Sequence, residues 1–260
     1  MNLQLSNDGL QIEVTGHGPP LVMLHGWAMH SGVFAPLVRA LSSHFECWLV
    51  DLPGHGRSAA TLPLERAGVA DALLARVPDA FWLGWSLGGL IALEAALRAP
   101  RRVYAVIEIA SSPRFVRGPD WPHAVETVTF TQFGEDLARD YSSTIDRFLL
   151  LEVNGDEHAR RELRWLREQL AARPPCAQHA LVDGLELLAS TDLRAGLAEL
   201  VAPSLWIGGR RDRLIPAAAM AAAAVMAPDG RLLTLERAGH APFLSQPEQV
   251  AQAIVSFALG

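Results

Sequence analysis

The stretch Phe-Trp-Leu-Gly-Trp-Ser-Leu-Gly-Gly at residues 81–89 contains the pattern Gly-x-Ser-x-Gly, with Ser86 at its centre. Strand-forming residues precede the pattern, and a run of good helix formers follows it. In that context the pattern is typical of a tight bend between a strand and a helix that presents a serine hydroxyl at its tip. The glycines carry no Cβ, so they let the strand and the helix approach closely. The sequence therefore predicts that Ser86 is a nucleophile.

The composition excludes several classes of protein. A chain of 260 residues, half of them hydrophobic, fits one large α/β domain or a domain with an insertion. Cys47 and Cys176 are too few for a disulfide framework and match no metal-ligand spacing, which favours a reducing compartment. The formal charge of −6 argues against general nucleic-acid binding. Neither an export leader nor a membrane span is recognisable, so we expect a cytoplasmic location. We also expect a monomer, although no sequence feature determines the oligomeric state.

Short apolar runs alternate with helical patterns along most of the chain, and this alternation predicts an α/β fold with a mostly parallel central sheet flanked by helices. Residues 3–15 are predicted to form an antiparallel pair at the sheet edge. The other predicted strands cover residues 21–24, 47–50, 81–84, 103–109, 204–208 and 232–235. The predicted helices cover residues 33–41, 65–76, 87–98, 216–226 and 247–258.

The alternation breaks between residues 111 and 200, where the chain becomes charged and largely helical with no clear core strand. We interpret this stretch as an insertion that covers the sheet. The predicted core comprises residues 1–112 and 200–260, and the predicted helical cap comprises residues 113–199.

A serine hydroxyl is a poor nucleophile unless a base takes its proton and an acid orients that base. Asp212 and His240 both follow predicted strands, and they complete the chain order Ser, Asp, His. Glu108, at the end of the strand that follows the nucleophile helix, is an alternative acid. We prefer Asp212 and expect Glu108 to have a polar partner, because an unpaired buried carboxylate is costly.

Acyl transfer also needs donors for the oxygen that becomes negative. We assign this oxyanion hole to the backbone amides of Leu87 and Trp27. His25, beside Trp27, is interpreted as a brace for its loop, and the turn at residues 51–58 as architectural support. The sequence contains no dinucleotide fingerprint, phosphate loop or metal cluster, so we expect chemistry without a cofactor or metal.

These residues give the chain a resemblance to the α/β-hydrolase superfamily over nearly its whole length. Within it, the chain is similar to the pimeloyl-acyl-carrier-protein methyl ester esterases of biotin synthesis. The matching core motifs are Leu-His-Gly-Trp-Ala-Met at 24–29, Trp-Ser-Leu-Gly-Gly-Leu at 85–90 and Gly-His-Ala-Pro-Phe at 239–243. Further matches at 146–149, 184–188 and 191–194 lie in the predicted cap, where substrate-specific sequences diverge fastest.

The resemblance implies an activity and a partner. Such an enzyme hydrolyses the methyl ester of a pimeloyl chain on acyl carrier protein, and the acidic carrier docks on cap arginines. Helical periodicity places Arg160 and Arg164 on one face, and the matching cap motif adds Arg147. The position four residues before Arg147 is Ser143, where the family carries another arginine. The implied acyl channel is lined by Trp27, Ser86, Leu87, His240 and the cap residues Phe148, Leu149, Leu150, Leu151 and Glu152.

Two alternatives remain open. One is a different hydrolase of the same fold, such as a general short-chain carboxylesterase, an enol-lactonase or a cofactor-free perhydrolase. Serine at position 86 disfavours dehalogenases and epoxide hydrolases, which need an aspartate there. The other alternative is a non-catalytic ligand receptor on this fold, against which an intact set of Ser86, Asp212 and His240 argues.

Overall fold

The computed structural model describes residues 2–4 and 9–260, with side chains from residue 9 onward. Within this part of the chain, eight strands form one sheet in the order β1-β2-β4-β3-β5-β6-β7-β8. β2 is antiparallel to both β1 and β4, and the remaining neighbours are parallel. The strands are β1 (Asn2–Gln4), β2 (Gln11–Gly16), β3 (Pro20–Leu24), β4 (Glu46–Asp51), β5 (Ala80–Trp85), β6 (Val103–Ile109), β7 (Ser204–Gly209) and β8 (Gly230–Leu235).

The mostly parallel sheet predicted from the sequence is confirmed. The central strands β3, β5, β6 and β7 are buried on both faces, which explains why they are continuous apolar runs rather than alternating ones. The antiparallel pair predicted at the edge is β1 with β2. Residues 5–8, which the prediction also included, lie outside the described residues.

Helices cover both faces of the sheet and bury two hydrophobic layers. One layer contains the apolar sides of α2 (Arg66–Leu74), α3 (Leu87–Arg98) and α9 (Ala217–Met226). The other contains those of α1 (Ala35–Leu41), α10 (Pro242–Ser245) and α11 (Pro247–Leu259). The predicted helix at 33–41 begins as a 3₁₀ turn, and only its second part is α-helical. No helix in the described part of the chain combines the length and hydrophobicity that a bilayer crossing requires.

Five helices lie between β6 and β7, where the sequence predicted an insertion. They are α4 (Thr127–Arg139), α5 (Tyr141–Glu152), α6 (Ala159–Ala171), α7 (Gln178–Ser190) and α8 (Arg194–Leu197). Asp140 separates α4 from α5 and caps the latter, because its side chain accepts a hydrogen bond from Ser143 N at 3.0 Å. The division of the chain into a core and a cap stays a prediction.

Buried contacts join these helices to the loops of the sheet. The Arg173 guanidinium contacts the Asp51 carboxylate at 2.5 Å, and both side chains are at least nine-tenths buried. Burial alone would raise the pKa of Asp51, but Arg173 and neighbouring donors lower it below its ordinary value. Nearby, the His30 ring bonds to Gln169 O at 2.7 Å. The end of α6 and the residues after it are therefore fixed against the loops that follow β3 and β4.

Candidate active site

Ser86 occupies the bend between β5 and α3 in a backbone conformation that residues with a Cβ rarely adopt. Its φ is 53° and its ψ is −119°, a strain that costs about 1–3 kcal/mol. Hydrogen bonds hold it on both sides: Ser86 N donates to Ile109 O at 3.0 Å, and the Ser111 hydroxyl donates to Ser86 O at 2.9 Å. The tight bend predicted from the sequence is therefore present, with Ser86 at its tip.

Two glycines are required by this bend. A Cβ on Gly84 would overlap the backbone of Gly89 in α3, and a Cβ on Gly88 would overlap Leu24 O at the end of β3. Either substitution would separate the strand from the helix and move the serine between them. The pattern Gly-x-Ser-x-Gly thus has a steric explanation in this structure.

Asp212 and His240 meet across the loops that follow β7 and β8. Asp212 Oδ1 accepts from Leu214 N at 2.8 Å and from Ile215 N at 2.9 Å. Asp212 Oδ2 lies 2.8 Å from His240 Nδ1, and both side chains are buried. The two amides fix the carboxylate, and the carboxylate in turn fixes the plane of the ring and favours a proton on Nδ1.

The backbone and the ring of His240 are also held. His240 N donates to Glu152 O at 3.1 Å, and Trp85 Nε1 donates to His240 O at 2.9 Å. His240 Nε2 is buried and has no hydrogen-bond partner among the described residues. With Nδ1 engaged by Asp212, this free nitrogen is the one that can accept a proton.

Glu108, the alternative acid, does not pair with His240. It lies in β6, fully buried against α3, where a Cβ on Gly89 would overlap its carboxyl group. Burial raises the pKa of Glu108 to about 8, although the nearby Ser111 hydroxyl lowers it. Both carboxyl oxygens lack a well-formed hydrogen bond among the described residues. The expected polar partner is thus no more than the adjacent Ser111, whose own hydrogen bond goes to Ser86 O.

The Leu87 amide directly follows Ser86, and the Trp27 amide follows Gly26, on which a Cβ would lie 3.3 Å from Ser86 Cβ. Neither amide donates a hydrogen bond to any other group within residues 2–4 and 9–260. Ala28, directly after Trp27, has a φ of 62°, so this loop is strained as well. Free donors on rigid backbone are what an oxyanion hole needs. The role of these amides stays a prediction.

His25 braces the same loop. Its Nδ1 contacts Gly26 O at 2.8 Å, and its Nε2 accepts from Leu52 N at 2.9 Å. Burial, and then the neighbouring His55, lower its pKa to about 3. His25 is therefore neutral and has no nitrogen left for Ser86. Asp51 supports the turn at residues 51–58, since it accepts hydrogen bonds from Ser31 N and Arg57 N.

Of the residues predicted to line the acyl channel, the five from the predicted cap, residues 148–152, do not all face the same surroundings. Phe148 meets the Trp27 ring edge-on at 4.7 Å between centroids. Leu149 packs into the opposite core layer, and Leu150 is 46% exposed. Glu152 is fully buried beside Asp212, and burial, followed by that charge, raises its pKa well above 4.5. Consecutive residues of a helix point in different directions, so the segment cannot present one continuous lining.

The cap arginines differ in their surroundings. Arg160 and Arg164 are exposed and form no ion pair with any described residue, and they line a surface groove of about 540 Å³ with Leu163. Arg147 contacts Asp136, and Arg167 bonds twice to Asp146. Glu162, an acidic neighbour in sequence, is 2% exposed and cannot neutralise this face.

The sequence did not single out Asp156, although it contacts the loop that carries His240. Asp156 Oδ2 accepts from Gly239 N at 2.9 Å, directly before His240. An aspartate shortly before a helix is an ordinary capping signal, and nothing in the sequence indicates its second contact. No group of three or more potential metal ligands was found among the described residues.

Comparison with known proteins identifies the family of this chain. A family model described as the alpha/beta hydrolase family matches residues 21–253, so the chain belongs to that family. A pimeloyl-[acyl-carrier protein] methyl ester esterase of Xanthomonas campestris pv. campestris is 58% identical over 249 residues, covering 95% of this chain and 98% of the relative. Another, from Stenotrophomonas maltophilia, is 54% identical and covers 96% and 97%. The solved structure of an esterase from Exiguobacterium antarcticum has a TM-score of 0.86 at 25% identity, covering 96% of both chains. The predicted fold and resemblance are confirmed.

Proposed function

We propose that this chain is a serine carboxylesterase that hydrolyses the methyl ester of pimeloyl-acyl carrier protein, releasing methanol and pimeloyl-acyl carrier protein in biotin synthesis. Relatives with that printed name match it at 54–58% identity over nearly their whole length. The observation that carries the proposal is the His240 ring, bonded to Asp212 on one side and buried with a free Nε2 on the other. The chain is accordingly a carboxylic ester hydrolase with Ser86 as its nucleophile.

We infer the reaction from the chain order Ser86, Asp212, His240 and from the free Nε2 of His240. His240 Nε2 takes the proton of the Ser86 hydroxyl as Oγ attacks the ester carbonyl, and Asp212 stabilises the resulting imidazolium. The carbonyl oxygen becomes negative and accepts hydrogen bonds from the Trp27 and Leu87 amides. His240 protonates the departing methanol, after which a water molecule, deprotonated by the same nitrogen, releases the acid from Ser86.

The acyl chain lies against an aromatic cluster formed by Trp27, Phe133 and Phe148. The Trp27 ring is 6.3 Å from Phe133 and 4.7 Å from Phe148, measured between centroids. Phe133 also lines an open groove of about 410 Å³ between α4 and α5, together with Leu150 and Leu151. Because Phe133 belongs to both, the groove gives the flexible arm of the carrier a route toward the cluster. Leu150 then contacts the arm rather than the acyl chain.

The carrier docks on the exposed face of α6. Arg160 and Arg164 form no ion pair with any carboxylate of residues 9–260, although Glu168 lines the same groove, so their charges are available to an acidic partner. Arg147 contributes from α5 while retaining its contact with Asp136. The enzyme acts as a monomer in the cytoplasm, with residues 113–199 as the cap that receives the carrier.

The nucleophile and the substrate are tested together. Ser86→Ala should abolish labelling by a fluorophosphonate and release of methanol from methyl pimeloyl-acyl carrier protein, while wild type performs both. Retained labelling would point to another nucleophile. A wild type that hydrolyses p-nitrophenyl butyrate but leaves the carrier ester intact would identify a general esterase. No turnover of either ester would indicate a receptor.

Docking is tested by charge reversal. Arg160→Glu with Arg164→Glu should raise KM for the carrier ester about tenfold or more while sparing p-nitrophenyl butyrate, and wild-type KM for the carrier ester should rise with salt because exposed charges are screened. Arg101→Glu, at an exposed position just before the start of β6 and outside the predicted cap, is the control. Equal effects on both substrates would refute docking on α6.

A further inference from the structure

The connection between α5 and α6 lies against both loops that carry the proposed catalytic residues. Glu152 O accepts from His240 N at 3.1 Å, and Glu157 N donates to Arg237 O at 3.3 Å. On the other side, Arg211 Nη1 donates to Gly155 O at 3.2 Å, one residue before Asp212. A segment of the predicted cap is therefore hydrogen-bonded to the machinery of the core.

Asp156 is the central residue of this connection. Its Oδ2 accepts from Gly239 N at 2.9 Å, and its Oδ1 accepts from His158 N at 2.7 Å, directly before α6 begins. The side chain is 8% exposed. One buried carboxylate thus joins the residue before His240 to the start of the helix that carries Arg160 and Arg164.

The contact to Gly239 controls the position of His240. Gly239 N has no other acceptor among the described residues, and a buried amide that loses its acceptor is destabilised. The loop is also closely packed, since a Cβ on Gly239 would lie 3.2 Å from Glu152 O and 3.4 Å from Asp156 Cβ. Glu162 is buried beside Asp156, and because burial raises its pKa to about 9, it adds no second negative charge at neutral pH.

We propose that Asp156 is a positioning residue that fixes the His240 loop to the start of α6. It touches neither substrate nor Ser86 and acts through Gly239. The inference rests on the proposed role of His240 as the base. It also makes α6 the element through which a docked carrier can influence the catalytic histidine.

The experiment separates the two hydrogen bonds of Asp156. Asp156→Ser keeps a hydroxyl that can accept from His158 N but is too short to reach Gly239 N, so the turn before α6 remains and the loop contact is lost. We expect kcat to fall about tenfold to a hundredfold on both p-nitrophenyl butyrate and the carrier ester, with KM nearly unchanged, because a small displacement of a catalytic group has effects of this size. Asp156→Asn keeps an oxygen for Gly239 N and should restore kcat to within about threefold of wild type.

Glu157→Ala is the matched control, because this neighbouring carboxylate forms an exposed ion pair with Arg237. The variant should keep kcat within about twofold of wild type. Folding is followed by circular dichroism. A folded Asp156→Ser variant with wild-type kcat would overturn the proposal, as would an Asn variant as slow as the Ser variant. Failure of both variants to fold would also overturn it, because Asp156 would then be a structural residue. A wild type without esterase activity would instead refute the proposed function.

Discussion

Both carboxylate oxygens of Asp212 accept hydrogen bonds, whereas His240 keeps one ring nitrogen without a partner among the described residues. Asp212 is bonded by two backbone amides and the imidazole, so its carboxylate has little freedom. His240 is fixed through its backbone and Nδ1, while Nε2 is left free among the described residues. A buried polar atom without a partner is costly in a resting protein, so its presence fits a group that bonds during the reaction.

Replacing Asp212 or Glu108 by the amide of the same shape tests which of the two carboxylates orients His240. Asp212→Asn should lower kcat on p-nitrophenyl butyrate about 10⁴-fold, because an amide cannot both orient the ring and stabilise the imidazolium. Glu108→Gln, the control, should keep kcat within about threefold, since Glu108 has no contact with His240. Steady-state kinetics of the two purified variants decide the matter. The reverse result would move the acid to β6.

Ser86, Asp212 and His240 could be predicted because glycines and apolar strands stand near each of them in the sequence. Ser86 sits between required glycines, and Asp212 and His240 each follow an apolar strand and a glycine. Asp156 and Arg173 could not be predicted, because their partners, Gly239 and Asp51, are more than eighty residues away along the chain. Contacts of this kind depend on how the helices between β6 and β7 lie on the sheet.

α5 shows how one helix serves several surfaces. Phe148 faces Trp27 and Leu150 faces solvent, because positions two residues apart are separated by about 200° at 3.6 residues per turn, whereas Glu152, one turn after Phe148, comes near Asp212. Strand positions were predicted to within about two residues because Gly and Pro bound the apolar runs. The amphipathic pattern of α6 also predicts a helix from the sequence. The patterns of α4, α5 and α7 do not define where these helices begin and end.

This geometry leads to a prediction about acyl-chain preference. Phe148→Ala should reduce the preference for p-nitrophenyl hexanoate over the acetate about tenfold, because it removes apolar surface beside Trp27. Leu150→Ala is the matched control on the exposed side of the same helix and should leave the ratio of kcat/KM values unchanged. Ratios that are equal in the two variants would remove Phe148 from the acyl site.

At the scale of the whole molecule, several carboxyl groups are buried without an ion pair to any residue that the structure describes. Glu108, Glu152 and Glu162 are nearly inaccessible to solvent, and burial raises the pKa of each. Their protons must be lost when the chain unfolds above their ordinary pKa. The free energy of unfolding therefore depends on pH through these three buried carboxyl groups.

Glu108 allows this linkage to be measured. Between pH 4.5 and about 8 its carboxyl is protonated in the folded chain and ionised in the unfolded chain, so rising pH lowers the free energy of unfolding by up to about 1.4 kcal/mol per pH unit. Glu108→Gln should remove this contribution. In denaturant titrations, the stability of the variant relative to wild type should increase from pH 5 to 8 and then level off. Glu168→Gln, at an exposed site, is the control. A constant difference across this range would show that Glu108 is already ionised.

The crowding around Gly84 and Gly88 has a consequence for engineering. Because the backbones of β3, β5 and α3 touch there, libraries that randomise the surroundings of the serine would yield mostly misfolded chains. New acyl specificities should instead be sought in α4 and α5, whose side chains border open space. Substitutions in α4 and α5 should therefore change substrate preference while leaving the bend at Ser86 intact.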